Sequence, residues 1–214
     1  MAAKPPTKTR RAPGEVRQLL LNSARELFAR KGFAGTSTRE IADHAGTSEA
    51  LLFRHFGSKA ALFERAVLDP FSEFISNYIA QWEEYEAQPH PPEIPTRQYI
   101  EGLYNLLSEH RELVMALLAV QAYEVGVADD VAGPGSPLSQ FLDRLEKVVE
   151  AEVGMRGWTA IDIPVTIRVT FGMVLSMAVL DDWLFPGRRP SRERIINEMV
   201  SYMIHGLAHR PRRK

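Results

Sequence analysis

With 214 residues, 45% of them hydrophobic and 25% charged, the chain has room for one or two domains with a sizeable core. It contains no cysteine, which excludes disulfides, thiolate metal sites and thiol redox sensing. No run of about 18 uncharged apolar residues occurs, so no membrane span is expected.

Charge is unevenly spread beneath a net value of −1. Through residue 67 there are 12 Lys and Arg against 6 Asp and Glu, and the remainder holds 14 against 21. A basic part of +6 followed by an acidic part of −7 fits nucleic-acid binding by the first part alone. A solvated helical surface of uneven charge is the bland alternative.

Residues 1–13 carry Pro5, Pro6 and Pro13 among Lys4, Lys8, Arg10 and Arg11. This reads as a basic tail, disordered when free, that either hangs loose or lies along phosphates. It lacks the apolar segment of a signal peptide, so a cytoplasmic location is expected. Residues 15–31 read as a first helix, because Val16, Leu20, Ala24, Leu27 and Phe28 recur at helical spacing. Arg30 and Lys31 complement its C-terminus and Gly32 stops it.

Residues 37–59 are two short helices, a tight turn and the start of a third helix. Ser37 followed three residues later by Glu40 is a capping box. Ile41, Ala42 and Ala45 form a small apolar face, and Gly46 supplies a positive φ where the helix ends. Ser48 caps the next helix, on which Leu52 and Phe56 share a face. Gly57 ends that helix and Ser58 caps its successor. Short helix, turn, short helix is the helix-turn-helix arrangement, whose second helix can enter a DNA major groove.

The run from Thr36 to Ala42, then Ala45-Gly46-Thr47-Ser48, Leu52 to Phe56, and Ser58-Lys59 with Leu62 together resemble the DNA-binding domain of the TetR family of bacterial transcriptional regulators. The match covers roughly a quarter of the chain, from about Glu15 to Leu68. The resemblance implies an all-α fold of about nine helices. It divides the chain into a tail (1–13), a helix-turn-helix domain (14–67) and a helical domain for effector binding and dimerisation (68–214). It places base or sugar contacts at Glu49, Ala50, Leu51, Phe53 and Arg54, and similarly at Arg39. Ser37, Thr38, His55 and Lys59 match positions that hold phosphate, and Thr47 and Ser48 join this DNA-binding set. Two departures stand out. Glu49 turns a negative charge toward a polyanion, to be held by Arg54 or Arg39 or to accept from a cytosine amino group. Phe53 stands where the family usually has Tyr.

Beyond Ser58 a long helix is expected to link the halves, kinked or broken at Pro70 and continued by Phe71, Phe74, Ile75 and Tyr78. After a Pro-rich loop over 88–95, a helix beginning at Pro95 or Thr96 carries Tyr99, Leu103, Leu106 and Leu107. An apolar helix over 113–125, a Gly- and Pro-rich loop over 126–137 and an amphipathic helix over 138–153, ended by Gly154 and Gly157, come next. Residues 164–185 read as one long helix, apolar on most of its surface and therefore buried nearly all round. Val165, Val169, Gly172, Ser176 and Val179 form a stripe along it. Ser191 caps a last helix with Ile195, Ile196, Met199, Tyr202 and Met203 on its apolar face.

In the resembling family the last two helices of each subunit make a four-helix dimer interface. That implies a homodimer through Val165, Val169, Gly172, Ser176, Ile195, Met199, Tyr202 and Met203, although a monomer core would show the same stripes. The family's inducer cavity suggests a pocket from Phe74, Tyr78, Tyr104, Met115, Phe171, Met173, Met177 and Trp183.

His205 and His209 have metal-ligand spacing but no further ligand beside them, so no metal is expected. Asp181 and Asp182 are adjacent, hence about 100° apart on a helix, and do not converge as a catalytic pair would. With no phosphate loop and no nucleophile-base pair, neither an enzyme nor a cofactor is expected. The implied function is a DNA-binding regulator on a roughly palindromic operator, most often a repressor released by a small apolar effector. An effector-independent DNA-binding dimer is the first alternative; a helical enzyme or carrier is the last.

Overall fold

The computed structural model describes residues 13–86, 90–123, 136–158 and 161–208, and among these every regular element is a helix. The basic tail, most of the 126–137 loop and His209 lie outside the described residues. The chain divides into two units, residues 1–66 and 67–214.

In the first unit, α1 (Pro13–Lys31), α2 (Thr38–His44) and α3 (Glu49–Phe56) pack on one another, and the start of α4 (Lys59–Glu86) completes the core. Leu20, Ala24, Leu27 and Phe28 of α1 are buried with Ile41, Ala42, Leu52, Leu62 and Phe63. Phe28 meets Phe63 edge-on at 5.0 Å between ring centroids, and Phe33 meets Phe63 at 5.1 Å. The Thr36 hydroxyl, buried in the α1–α2 turn, lies 2.8 Å from the Gly32 carbonyl and ties the turn back to α1.

Pro70 does not break α4, which runs through it. A proline has no N–H to offer the carbonyl four residues back, here that of Ala66. Arg25 Nε donates to that carbonyl instead, at 3.0 Å, so the group is satisfied from α1.

The second unit continues with α5 (Glu93–Glu109), α6 (Arg111–Tyr123), α7 (Pro137–Met155), α8 (Ile163–Val179), α9 (Asp181–Leu184) and α10 (Arg192–Ala208). α5 packs between α8 and α10, and α6 and α7 flank α8. Ile75, Ile100, Leu103, Leu107, Val174 and Ile196 are fully or almost fully buried. Arg192 pins α10 to α5 through Glu101 at 2.7 Å and Asn105 at 2.7 Å.

Several boundaries differ from expectation. α5 starts at Glu93, two or three residues early, with Pro95 inside its first turn, where a missing N–H costs no hydrogen bond. Gly154 lies within α7, and it is Gly157, at φ 63°, that follows the helix end. The long helix expected over 164–185 stops at Val179, which makes ten helices among the described residues instead of about nine. The cause is electrostatic. Asp181 is buried, with a carboxylate oxygen paired to Arg189 and another 3.5 Å from Arg111. Arg111 also donates to the Val179 carbonyl at 3.0 Å and to Asp182 at 2.8 Å, capping α8 where the chain turns.

α8 is not buried all round. Val165 and Val169 are 54% and 62% exposed, and Gly172 is exposed beside them, whereas Val179 points into the core.

Close packing in this unit yields a stability test. A Cβ on Gly102 would come 2.6 Å from Phe74 Cε2, and the Phe74 ring is boxed in by Tyr78 and Tyr99, each 6.3 Å away between centroids. Overpacking costs about 1–3 kcal/mol and the gain in helix propensity is about 1 kcal/mol. Gly102→Ala is therefore expected to lower the melting temperature, and Phe74→Leu in the same chain to restore most of the loss. An unchanged Tm for the single variant would mean that the ring is not confined.

Candidate nucleic-acid interface

Local chemistry alone sets the geometry of α2 and α3. Ser37 Oγ accepts from the Glu40 N–H at 3.1 Å. The Glu40 carboxyl is held below the usual carboxylate range, first by a hydrogen bond from Lys31 and also by the Ser37 backbone N–H, the direction a capping box favours. Gly46, at φ 62°, lets the Thr47 N–H fold back on the Ala42 carbonyl at 2.9 Å. Ser48 Oγ then accepts from the Leu51 N–H at 3.3 Å and starts α3. Gly57, at φ 76°, ends α3, and Ser58 Oγ accepts from the Ala61 N–H at 3.0 Å to start α4.

Ile41, Ala42, Ala45 and Leu52 form a buried spine through the two helices. Because that spine faces inward, Arg39, Ser48, Ala50, Phe53 and Arg54 are exposed, and Thr38, Thr47, Glu49, Leu51 and His55 are half-buried around them. Phe53 is 45% exposed, an unusual place for a large aromatic unless something covers it.

Glu49 is held by neither arginine. The Thr38 hydroxyl donates to its carboxylate and joins the first turn of α2 to the first turn of α3. Helix phase does not give this contact, because it runs between two elements. Lys59 also has a use inside the fold: its Nζ lies 4.2 Å from the centroid of Phe33. Arg17 lies similarly over Phe56, at 5.5 Å.

The residues named for a pocket are not brought together. Met115 and Trp183 are exposed, and Tyr104 is buried with its hydroxyl accepting from Arg189 at 2.8 Å. Phe171 packs on Phe141 and Phe74 on Tyr78 and Tyr99. Met173 and Met177 line an open groove of about 670 Å³ with Val169, Ile195, Met199 and Tyr202. Ile195 and Met199 are mostly buried within the chain, whereas Tyr202 is 72% exposed. Met203 lines a different, partly open cavity of about 50 Å³, to which Tyr78 is the single contributor from the expected pocket set. Tyr99, Thr166, Thr170 and Glu152 also line it. Thr166 and Thr170, four apart on a mostly apolar helix, are the readable signal for that cavity.

Two short helices on a shared spine, with the second offering its N-terminal turn to solvent, define a helix-turn-helix domain. Residues 20–66 match the family model for bacterial regulatory proteins of the tetR family. Residues 20–66 thus form a DNA-binding domain of the tetR type. The chain is similar to the HTH-type transcriptional repressor Rv3405c of Mycobacterium tuberculosis, with 43% identity over 72 residues, 32% of this chain and 38% of that protein. It therefore spans about 38% of the length of that relative. Similarity to the HTH-type transcriptional repressor KstR2 of Rhodococcus jostii is weaker, 26%, but extends over 88% of this chain and 89% of that protein. The fold is also that of FadR from Bacillus subtilis, crystallised with stearoyl-CoA: TM-score 0.70 at 14% identity, over 88% of this chain and 98% of that one.

If Lys59 meets a phosphate, Lys59→Ala is expected to weaken binding to any duplex equally, because such a contact carries no sequence information. The log–log salt slope should become shallower by about 0.9, and loss of the ammonium over Phe33 should cost about 0.5–1 kcal/mol of stability. Fluorescence anisotropy across a salt series checks this. A loss confined to one duplex sequence would make Lys59 a reader of bases.

Proposed function

We propose that the protein is a homodimeric, sequence-specific DNA-binding regulator, a repressor that a small apolar effector releases from a roughly palindromic operator. The exposure of Arg39, Ala50, Phe53 and Arg54 over the buried Leu52 spine carries the DNA-binding reading. In that reading α3 enters the major groove, Arg39 or Arg54 takes guanine O6 and N7, and Phe53 covers a thymine methyl. Repression is supported by what Rv3405c and KstR2 are named for. An effector is supported by the stearoyl-CoA held by FadR.

The dimer reading rests on the uncovered face of α8 and α10. Val165, Val169, Gly172 and Tyr202 are exposed there, and Ser176 is half-buried beside them. A second copy laid on this face by a two-fold axis would bury both apolar faces at once. The small size of the cavity between Tyr78, Thr166 and Met203 favours a second reading, in which the second unit only dimerises and DNA binding needs no effector.

The test is selection of bound duplexes from a random library with the full chain. Enrichment of an inverted repeat, with half-sites about one helical turn or a multiple of it apart, is expected. Recovery of unrelated sequences would overturn the regulator reading.

A further inference from the structure

We infer that the cavity lined by α4, α5, α7, α8 and α10 binds a small uncharged molecule, no larger than about one aromatic ring, through a hydroxyl or carbonyl group held by Tyr99 and Thr166. This names the effector class for the reading above and rests on it.

Two hydroxyls carry the inference. Tyr99 is 4% exposed and Thr166 6% exposed, both line the cavity, and neither the Tyr99 OH nor the Thr166 Oγ1 has a hydrogen-bond partner. Buried polar groups are nearly always paired, so two orphans on one cavity wall call for a polar group between the walls. Thr170, one turn along, shows the contrast: its hydroxyl donates to the Thr166 carbonyl at 2.8 Å and is satisfied. Burial raises the Tyr99 phenol well above the ordinary range, so it stays a neutral donor at any pH the protein meets.

The remaining lining sets charge and size. Leu145, Val148, Val149, Ile167, Met203 and Leu207 make most of the wall apolar. The one acidic lining residue is Glu152, paired with Arg156, and no lining residue is basic. A carboxylate ligand would lose its hydration and face Glu152, and the nearest cation, Arg156, is already paired with the Glu152 carboxylate. The volume, about 50 Å³, is smaller than the roughly 150 Å³ of a cavity engineered in another protein to hold benzene. A single ring therefore needs the wall to yield. Met203 and the half-buried Trp158, which carries Arg156 5.7 Å from its ring centroid, are the pieces that can move. An acyl chain as long as stearoyl exceeds the cavity volume many times over.

The test compares p-cresol, toluene, benzoate and stearoyl-CoA by calorimetry on the full chain without DNA. It includes Tyr99→Phe and Thr166→Val, which keep the wall shape. We expect p-cresol to bind about tenfold or more tightly than toluene, each variant to erase most of that advantage, and benzoate and stearoyl-CoA to give no heat. Because each variant removes an unpaired group, its melting temperature should hold or rise. Equal binding of p-cresol and toluene, preferred binding of either anion, or a lowered Tm in both variants would overturn the inference. Release of a selected duplex is measured separately. If p-cresol binds through these hydroxyls yet leaves DNA bound, the site stands and the effector reading falls.

Discussion

The Arg39→Ala, Arg54→Ala double variant is expected to lose discrimination between a selected duplex and a random one while keeping its fold. Both side chains are exposed, so their removal should change stability by no more than about 0.5 kcal/mol. Bidentate pairing of an arginine with guanine is worth about 1–3 kcal/mol of discrimination against the wrong base. The single variant of whichever arginine pairs with guanine should therefore cut the specificity ratio by about five- to 150-fold, and the double variant at least as much. Non-specific affinity should fall much less, because Lys59 and the other cations of the first unit remain. Anisotropy on both duplexes, with circular dichroism melts beside it, separates the possibilities. Equal loss on both duplexes would reassign the arginines to phosphate.

If the uncovered face of α8 is the proposed dimer interface, Gly172→Leu is expected to split the dimer. A Cβ at Gly172 meets no heavy atom within 4 Å in a single chain, so the protomer itself has room for a side chain there. Any penalty must then come from a partner. If a second α8 approaches closely at that point, a leucine overpacks the contact by about 1–3 kcal/mol per site, and a two-fold axis applies it twice. Light scattering should show monomer, or unfolding if the monomer has no independent stability. The same change in a chain that uses another face would leave the dimer intact and, by replacing a helical glycine, raise stability by up to about 1 kcal/mol. The two accounts thus predict opposite signs.

What could be read from the sequence was local. Ser37, Ser48 and Ser58 start helices by accepting one nearby N–H each, and Gly46 and Gly57 end them with a positive φ. Caps and turns of this kind act within five residues, so the helix-turn-helix could be drawn before any packing was known. The second unit depends on contacts between distant residues. α8 stops at Val179 because Asp181 finds Arg111, far back in the chain, and Arg189. Nothing in the run 164–185 announces that break. The resemblance places Met173 and Met177 in a pocket, but the phase of α8 turns them to the open groove. Which side of an almost uniformly apolar helix is covered depends on its neighbours, and periodicity cannot give it. The exposed Val165 and Val169 make the same point from the other side.

The most direct test of the central claim, that α3 reads DNA bases with its first turns, is site-specific cross-linking. A photoreactive amino acid would replace Ala50, which is exposed on the first turn of α3, and in a control chain Glu26, on α1. Each protein would be irradiated on its selected duplex carrying thymines reactive at the 5-methyl position. The account predicts cross-links from position 50 to major-groove thymines, one set in each half-site, and none from position 26. Cross-links from position 26 alone, or from neither position on a duplex the protein still binds, would contradict it.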